Sequence, residues 1–253
     1  ILSKFSLNGS ALLRRKTTEQ DFLKRIIPLS NIENQNILSV QESIRSILFF
    51  NRGNSQFGAD LNFNKSSQKQ LLTNGFETRG IQEIGFTGRK NLGKYWNGQI
   101  QIKNLQTQNQ SDFLLNRNFK IDALNIQPQI AYQPSNNWRL SMAFLQNRKE
   151  NKFGNEKANL NEWSSELRWS KPSVFVLSAQ IRLVDIRFTG ETASPVAYEM
   201  LEALQTGKNW IWTTTYQQRL ANGLQINILY NGRKIPNQAN IVHFGQIQAG
   251  VLF

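Results

Sequence analysis

The single histidine of the chain, His243, is the residue best suited to acid–base chemistry near neutral pH. A lone histidine can activate a serine, or pair with an aspartate, in a hydrolase, provided that the partner lies within hydrogen-bond distance. The other residues of the segment 241–245 are apolar or glycine, so such a partner must come from elsewhere in the chain. His243 could therefore be a catalytic base or a histidine at the membrane interface, and its apolar neighbours favour the interface role.

The chain contains few residues that could support other catalytic chemistry or a metal site. The 253-residue chain contains no cysteine, which excludes disulfides, thiolate metal sites and cysteine nucleophiles. One histidine excludes His-rich zinc sites and two-histidine metalloprotease motifs. We therefore predict that the protein is not an enzyme and that it has no cofactor and no metal site.

Alternation of apolar and polar residues with a period of two runs along most of the chain, as is typical of β-strands. In 57–64, for example, Phe57, Leu61 and Phe63 alternate with polar or small residues. The pattern predicts about twelve strands, beginning near residues 3, 38, 55, 78, 95, 119, 137, 158, 173, 208, 223 and 241. Helical spacing is confined to Ala197–Leu204.

The predicted connections alternate between short and long without exception. The short ones, rich in Gly, Pro, Asn and Ser, are 51–55, 91–94, 133–137, 170–173 and 221–223. The long ones are 17–36, 65–77, 104–118, 146–157, 190–208 and 232–240. Short turns at one end and long loops at the other are the layout of an outer-membrane β-barrel.

A soluble β-sandwich or a lipocalin-like barrel is the alternative to a membrane barrel. The even number of strands, their length of about ten residues and a polar face too rich in Gln, Asn and Arg for a dry core favour the membrane. Aromatic residues near the strand ends, typical of interface girdles, also favour it: Tyr95, Trp96, Tyr132, Trp138, Trp169, Phe175, Trp210, Tyr216 and Tyr230. We predict one all-β domain over residues 1–253, an antiparallel up-and-down transmembrane β-barrel with short periplasmic turns and long extracellular loops.

If the apolar positions face lipid, the positions of opposite parity line the barrel interior. The lumen-lining candidates are polar or charged: Lys4, Arg14, Arg45, Arg139, Glu162, Glu166, Arg168, Arg182, Asn227, Gln246 and Gln248. A wet pore and a closed network of hydrogen bonds and ion pairs both remain open, and the network is favoured for any single residue. Their basic excess would favour anions in an open pore.

Two connecting segments are unusually apolar for surface loops. Ala193–Leu204 is predicted either to pack as a small helix on the barrel rim or to dock a partner, and the first is favoured. Residues 17–36, with Phe22, Leu23 and Ile26 among them, invite the same two interpretations.

The last predicted strand carries a second membrane signal. Ile247, Ala249, Val251 and the final Phe253 share one parity. An alternating terminal strand that ends in an aromatic residue resembles the signal that the bacterial barrel-assembly machinery recognises. This resemblance implies that the machinery is a partner during biogenesis and that this end of the chain is periplasmic.

Longer stretches resemble the C-terminal β-barrel region of large, poorly characterised outer-membrane proteins of Bacteroidota. They are Phe49–Asp60, Leu71–Arg79, Tyr198–Asn209, Tyr230–Lys234 and His243–Phe253. The resemblance spans roughly residues 40–253, with Phe244 where the family usually has threonine. It implies upstream carboxypeptidase-regulatory-like β-sandwich modules, so that Ile1 is internal or a processed end and the complete barrel is larger.

The formal charge of +13 is typical of proteins that meet nucleic acid or an anionic surface. The basic residues are spread over connecting segments such as 14–16, 24–25 and 148–152, so we predict no binding of nucleic acid. Lipopolysaccharide phosphates at the outer rim are the expected partner. We thus predict an outer-membrane protein of a Gram-negative bacterium, acting in transport or as a structural or interaction component of a surface assembly; a lipase- or protease-like hydrolase using His243 is the alternative.

Overall fold

The computed structural model describes residues 2–15, 37–51, 53–54, 56–220, 223–236, 238 and 240–251. Within them, twelve antiparallel strands form one sheet in sequence order, with β1 and β12 as its two edges. The strands are β1 (Leu2–Arg15), β2 (Ile37–Phe50), β3 (Phe57–Leu72), β4 (Gly75–Asn91), β5 (Trp96–Ser111), β6 (Phe119–Ser135), β7 (Trp138–Asn151), β8 (Lys157–Lys171), β9 (Phe175–Thr189), β10 (Gly207–Arg219), β11 (Leu224–Lys234) and β12 (Ile241–Val251). A helix, α1 (Pro195–Met200), lies between β9 and β10, and no helix in this part of the chain could cross a membrane.

The all-β meander predicted from the sequence is confirmed, and it is consistent with a β-barrel. Each strand begins within three residues of its predicted start. The helix is also confirmed, although it begins and ends slightly earlier than predicted. Two predicted features, the loop at 17–36 and the terminal Phe253, lie outside the described residues.

The prediction of a long loop at 65–77 is wrong. β3 continues to Leu72 and β4 begins at Gly75, so Thr73 and Asn74 alone connect them, and Gly75 has a φ of +125°, which favours glycine. Strand pairing continues through the polar run 64–70, where the alternation has ended, because the backbone donors and acceptors still need partners. For the same reason the connections 112–118, 152–156 and 235–240 are shorter than predicted, whereas 190–206 is long as predicted.

Pairing across the sheet gives it two chemically different sides, since laterally paired residues point to the same side of a sheet. The polar face includes Asn62, Lys103, Ser141, Glu162, Arg182 and Asn227. The apolar face includes Phe63, Ile102, Met142, Trp163, Ile181 and Ile228. Large side chains of the apolar face are open to the surroundings, as in Trp163 at 61% and Ile247 at 73% exposure.

The apolar side chains of this face form an apolar belt. On β7 the belt runs over Trp138–Phe144 and on β6 over Leu124–Tyr132, which is roughly 20 to 27 Å along each strand. Toward the long loops, the same face becomes polar, with Gln146 and Arg148 on β7 and Asp122 on β6. In a barrel whose strands are tilted by about 35 to 45°, this length corresponds to a height of roughly 14 to 22 Å, which approaches the roughly 25 Å apolar band of membrane barrels.

Aromatic rings mark the short-turn edge of the belt. Trp96 contacts Tyr132 with ring centroids 4.6 Å apart. Trp169 contacts Trp138 at 5.2 Å and Phe175 at 4.8 Å. The rings belong to five strands, so they form a row across the sheet rather than isolated contacts, as an interface girdle requires.

A second group of rings lies at the long-loop edge of the belt. Phe144 and Trp163 have centroids 4.7 Å apart. Farther along the sheet, the Trp212 ring covers Gly232 so closely that a Cβ there would overlap it. Trp212 also contacts His243, with ring centroids 6.4 Å apart. The belt is thus bounded on both sides by aromatic residues.

The extension of β3 and β4 beyond the belt can be tested with one cysteine pair. Ser67 and Gly80 are cross-strand partners inside the segment predicted as a loop. Because paired residues meet the spacing of a disulfide, the variant Ser67→Cys with Gly80→Cys should cross-link under mild oxidation. We expect faster migration on a non-reducing gel, and the chain has no other cysteine to interfere.

The matched control is Ser67→Cys with Ile84→Cys. Ile84 pairs with Phe63, four residues away along β3, so its cysteine lies roughly 13 Å from the first and should not cross-link. Equal cross-linking of both pairs would contradict the extended hairpin.

Candidate functional site

The polar face gathers most of the charged side chains that sequence parity grouped together. By register nine of the eleven lumen-lining candidates are distributed along it: Lys4, Arg14, Arg45, Arg139, Glu162, Glu166, Arg168, Arg182 and Gln246. Asn227 and Gln248 are paired with each other on the same face. The candidates are distributed over seven strands, so they form a lining rather than one compact site, and their exposure to a lumen stays a prediction.

One pair of candidates is brought into direct contact. Arg182 donates from Nε to Glu162 Oε1 at 2.8 Å and from Nη2 to Oε2 at 2.6 Å. This bidentate geometry is the strongest form of the guanidinium–carboxylate pair. Arg139 and Arg168, by contrast, are register partners of like charge, and the described residues supply neither with an ion pair. The polar face therefore contains both closed ion pairs and charged side chains that have no ion pair among the described residues, Glu166 included.

Other cross-strand pairs on this face were not singled out from the sequence. Asp60 lies 3.4 Å from Arg89, and Glu83 lies 3.9 Å from Lys103. Glu83 also accepts a hydrogen bond of 2.8 Å from Asn62. Such partners belong to different strands, and only the register between strands brings them together.

The long-loop end of the polar face is covered by the α1 segment, residues 190–206. Ser194 caps the helix by accepting a hydrogen bond from the Ala197 amide at 3.1 Å, and Pro195 occupies the first turn, where its missing N–H costs nothing. The apolar side of the helix packs on strands β6, β8 and β9. This cluster consists of Val196, Ala197, Met200 and Leu201 against Phe119, Ile121, Ala158, Leu160, Val184 and Ile186.

A buried lysine, Lys149 on β7, fixes the end of α1. Its ammonium donates to the Met200 carbonyl at 3.0 Å and to Glu202 Oε1 at 2.7 Å. Asn147 donates to the same carboxylate oxygen at 3.3 Å. The Lys149 side chain is only 8% exposed, so its charge depends on these partners for the solvation it has lost.

A second ion pair connects α1 with a more distant strand on the same polar face. Arg79 on β4 lies 3.0 Å from Glu199, and both side chains are partly exposed, at 55% and 36%. The α1 segment thus reaches from β6–β9 to β4 across the polar face. Of the two interpretations of this segment, the structure shows the helix packed on its own sheet.

His243 lies on the opposite side, among the aromatic residues of the apolar face. Its Nδ1 and the Tyr230 hydroxyl are 2.9 Å apart, and the two rings are nearly parallel. The hydrogen-bond partner is thus a phenol, and the catalytic interpretation would need a serine or an aspartate. Of the terminal-strand signal residues, Ile247, Ala249 and Val251 share this face, whereas Phe253 is not described.

Within the described residues, no group of three or more His, Cys, Asp or Glu side chains is placed to hold a metal ion. No family model matches the chain. No curated protein matches it either. Function is therefore inferred from the geometry of the two faces and of α1.

The role of Lys149 can be tested by replacing it with a side chain of similar length. In Lys149→Met, the Met200 carbonyl loses its side-chain donor and Glu202 keeps only the longer hydrogen bond from Asn147, which should weaken the docking of α1 by roughly 1 to 3 kcal/mol. We expect chymotrypsin to cleave the native protein at Tyr198 at least about tenfold faster.

The matched control is Arg79→Met, which removes the more exposed ion pair. Pairs of this kind contribute roughly 0 to 1 kcal/mol, so cleavage should change less than about fivefold. Equal acceleration in the two variants would contradict the special role of Lys149.

Proposed function

We propose that this chain forms a β-barrel in the outer membrane of a Gram-negative bacterium and acts in transport or as a structural component of a surface assembly. The observation that supports this best is the exposed apolar belt bounded by two groups of aromatic residues. In water, a belt of this size would strongly favour association, whereas the hydrocarbon core of a bilayer is its natural solvent. The resemblance to the C-terminal barrels of Bacteroidota and the barrel-assembly signal belong to the same proposal, and the larger barrel that the resemblance implies is the alternative to direct closure of these twelve strands.

The proposal requires that the two edges of the sheet find partners, since unpaired backbone groups are not tolerated in lipid. Following the lateral partners from strand to strand leads from Ile241, at the long-loop end of β12, to Phe50 on β2 and then to Leu2 on β1. Leu2 lies at the short-turn end of β1. Closing the sheet with Ile241 beside Arg15 corresponds to a stagger of about twelve residues over twelve strands. The resulting tilt of about 35° is within the range of known barrels.

This closure also places apolar side chains of β12 beside apolar side chains of β1 at the seam. On the apolar face Ala249 would meet Leu7 and Val251 would meet Phe5. On the polar face Phe244 would meet Leu12, and both are exposed at the two edges of the sheet. We therefore expect β1 and β12 to pair directly.

The seam can be tested by cross-linking in isolated membranes. The variant Leu7→Cys with Ala249→Cys should form a disulfide, because the proposed register makes these residues lateral neighbours. Ile226→Cys with Ala249→Cys is the positive control, since these residues are partners within the sheet. Leu13→Cys with Ala249→Cys, displaced by six residues, is the negative control. A disulfide in the positive control alone would contradict direct closure and favour further strands between the edges.

The polar face supports a lumen that prefers anions. Its basic residues outnumber its acidic ones, and the acidic side chains Asp60, Glu83 and Glu162 are already paired. At the short-turn end, Arg139 and Arg168 share this face with the single carboxylate of Glu166, which leaves an excess of one positive charge there. The α1 segment covers part of the same face at the other end, so we expect a narrowed rather than a wide channel.

Transport is tested by conductance in a planar bilayer. We expect discrete channels whose reversal potential in a salt gradient has the sign of anion preference. Arg139→Gln with Arg168→Gln should move that potential toward zero. The control, Lys90→Gln with Lys171→Gln, removes two charges at the same end of the sheet but on the apolar face, and should leave it unchanged. A heat-modifiable barrel without conductance would contradict transport and favour the structural role.

A further inference from the structure

A basic groove lies on the apolar face beyond the belt, toward the long loops. Its principal residues are Arg148 on β7, Lys157 and Asn159 on β8, and Arg187 on β9. Asn159 is the lateral partner of both arginines, so the arginine Cα atoms are roughly 10 Å apart. The groove encloses about 500 Å³, which is enough for a phosphorylated sugar.

The height of the groove follows from the strand spacing. Arg148 is four residues beyond Phe144, and Asn159 is four residues beyond Trp163, at the aromatic boundary of the belt. This separation is roughly 13 Å along the strand and less along the axis of a tilted barrel. In the proposed outer-membrane orientation, the groove would lie at the level of the outer-leaflet headgroups.

The two acidic residues that line the groove, Asp122 and Glu150, already have partners. Glu150 lies 3.2 Å from Lys157 and 2.5 Å from Lys152. Asp122 accepts a hydrogen bond of 2.7 Å from Gln106. Neither Arg148 nor Arg187 has an ion pair among the described residues, so both guanidinium groups are available to an anion.

The base of the groove is less polar than its rim. Leu124, 42% exposed, lines it on the same face as the charged side chains. A free phosphate would not use such a surface, whereas an amphiphile with an anionic headgroup would contact both parts. The charge and the apolar lining therefore favour a lipid over a free ion.

We propose that Arg148, Lys157 and Arg187 bind the phosphate groups of a phosphorylated glycolipid of the outer leaflet. Guanidinium groups recognise phosphate through paired hydrogen bonds, which a lysine ammonium supplements as a point charge. This inference depends on the proposed membrane location and adds to it a site with a defined ligand chemistry.

The test uses the full chain reconstituted in phosphatidylcholine nanodiscs, in which insertion is first verified by heat-modifiable gel mobility. Binding of fluorescent bisphosphorylated lipid A is then compared with binding of the same lipid after dephosphorylation. We expect at least a tenfold preference for the phosphorylated form. An inserted protein that binds both forms equally would overturn the site but not the barrel, whereas failure to insert would overturn both.

The variant Arg148→Gln with Arg187→Gln should weaken binding of phosphorylated lipid A at least tenfold. Lys65→Gln with Lys234→Gln is the matched control, since it removes two charges from the same face, outside the groove. An equal loss in both variants would mean nonspecific attraction and would overturn the site. Displacement of the lipid by equimolar inorganic phosphate would also overturn it, because the site would then take the free ion.

Discussion

The continuous ladder of antiparallel backbone hydrogen bonds from β1 to β12 is the constraint on which the rest of the structure depends. Each register between neighbouring strands assigns every side chain to one face, and a slip of one residue would exchange the two faces of a strand. The lateral row from Ile241 through Trp163 and Ile100 to Phe50 and Leu2 follows from eleven such pairings. The apolar belt, the paired ions and the basic groove all follow from them.

The sheet places its apolar side chains differently from a water-soluble β-protein. Trp163, Met142 and Ile181 are about half exposed on one face, and the best-packed apolar cluster lies on the other face, beneath α1. Hydrophobic burial within the chain therefore stabilises the α1 segment locally, while most apolar surface of the strands is left for the surroundings. A bilayer would supply the burial that the chain itself does not provide.

Contacts of three kinds hold the α1 segment over the polar face. Its helix needs the apolar patch around Leu160 and Val184 for packing, and its C-terminal end needs the buried ammonium of Lys149. The pair of Arg79 and Glu199 adds a contact with a distant strand. These contacts place a folded segment over the polar face, where a lumen would be narrowest if the sheet closes.

The sequence by itself determined the strands, their order and the two faces, because a period of two in polarity is a local property of adjacent residues. It failed at residues 65–72, where hydrogen bonding extended β3 after the apolar alternation had ended. It also gave no indication that Lys149 would meet Glu202, or that Arg148 and Arg187 would flank Asn159. Those contacts join residues distant in sequence, so only the register between strands and the path of the α1 segment could decide them.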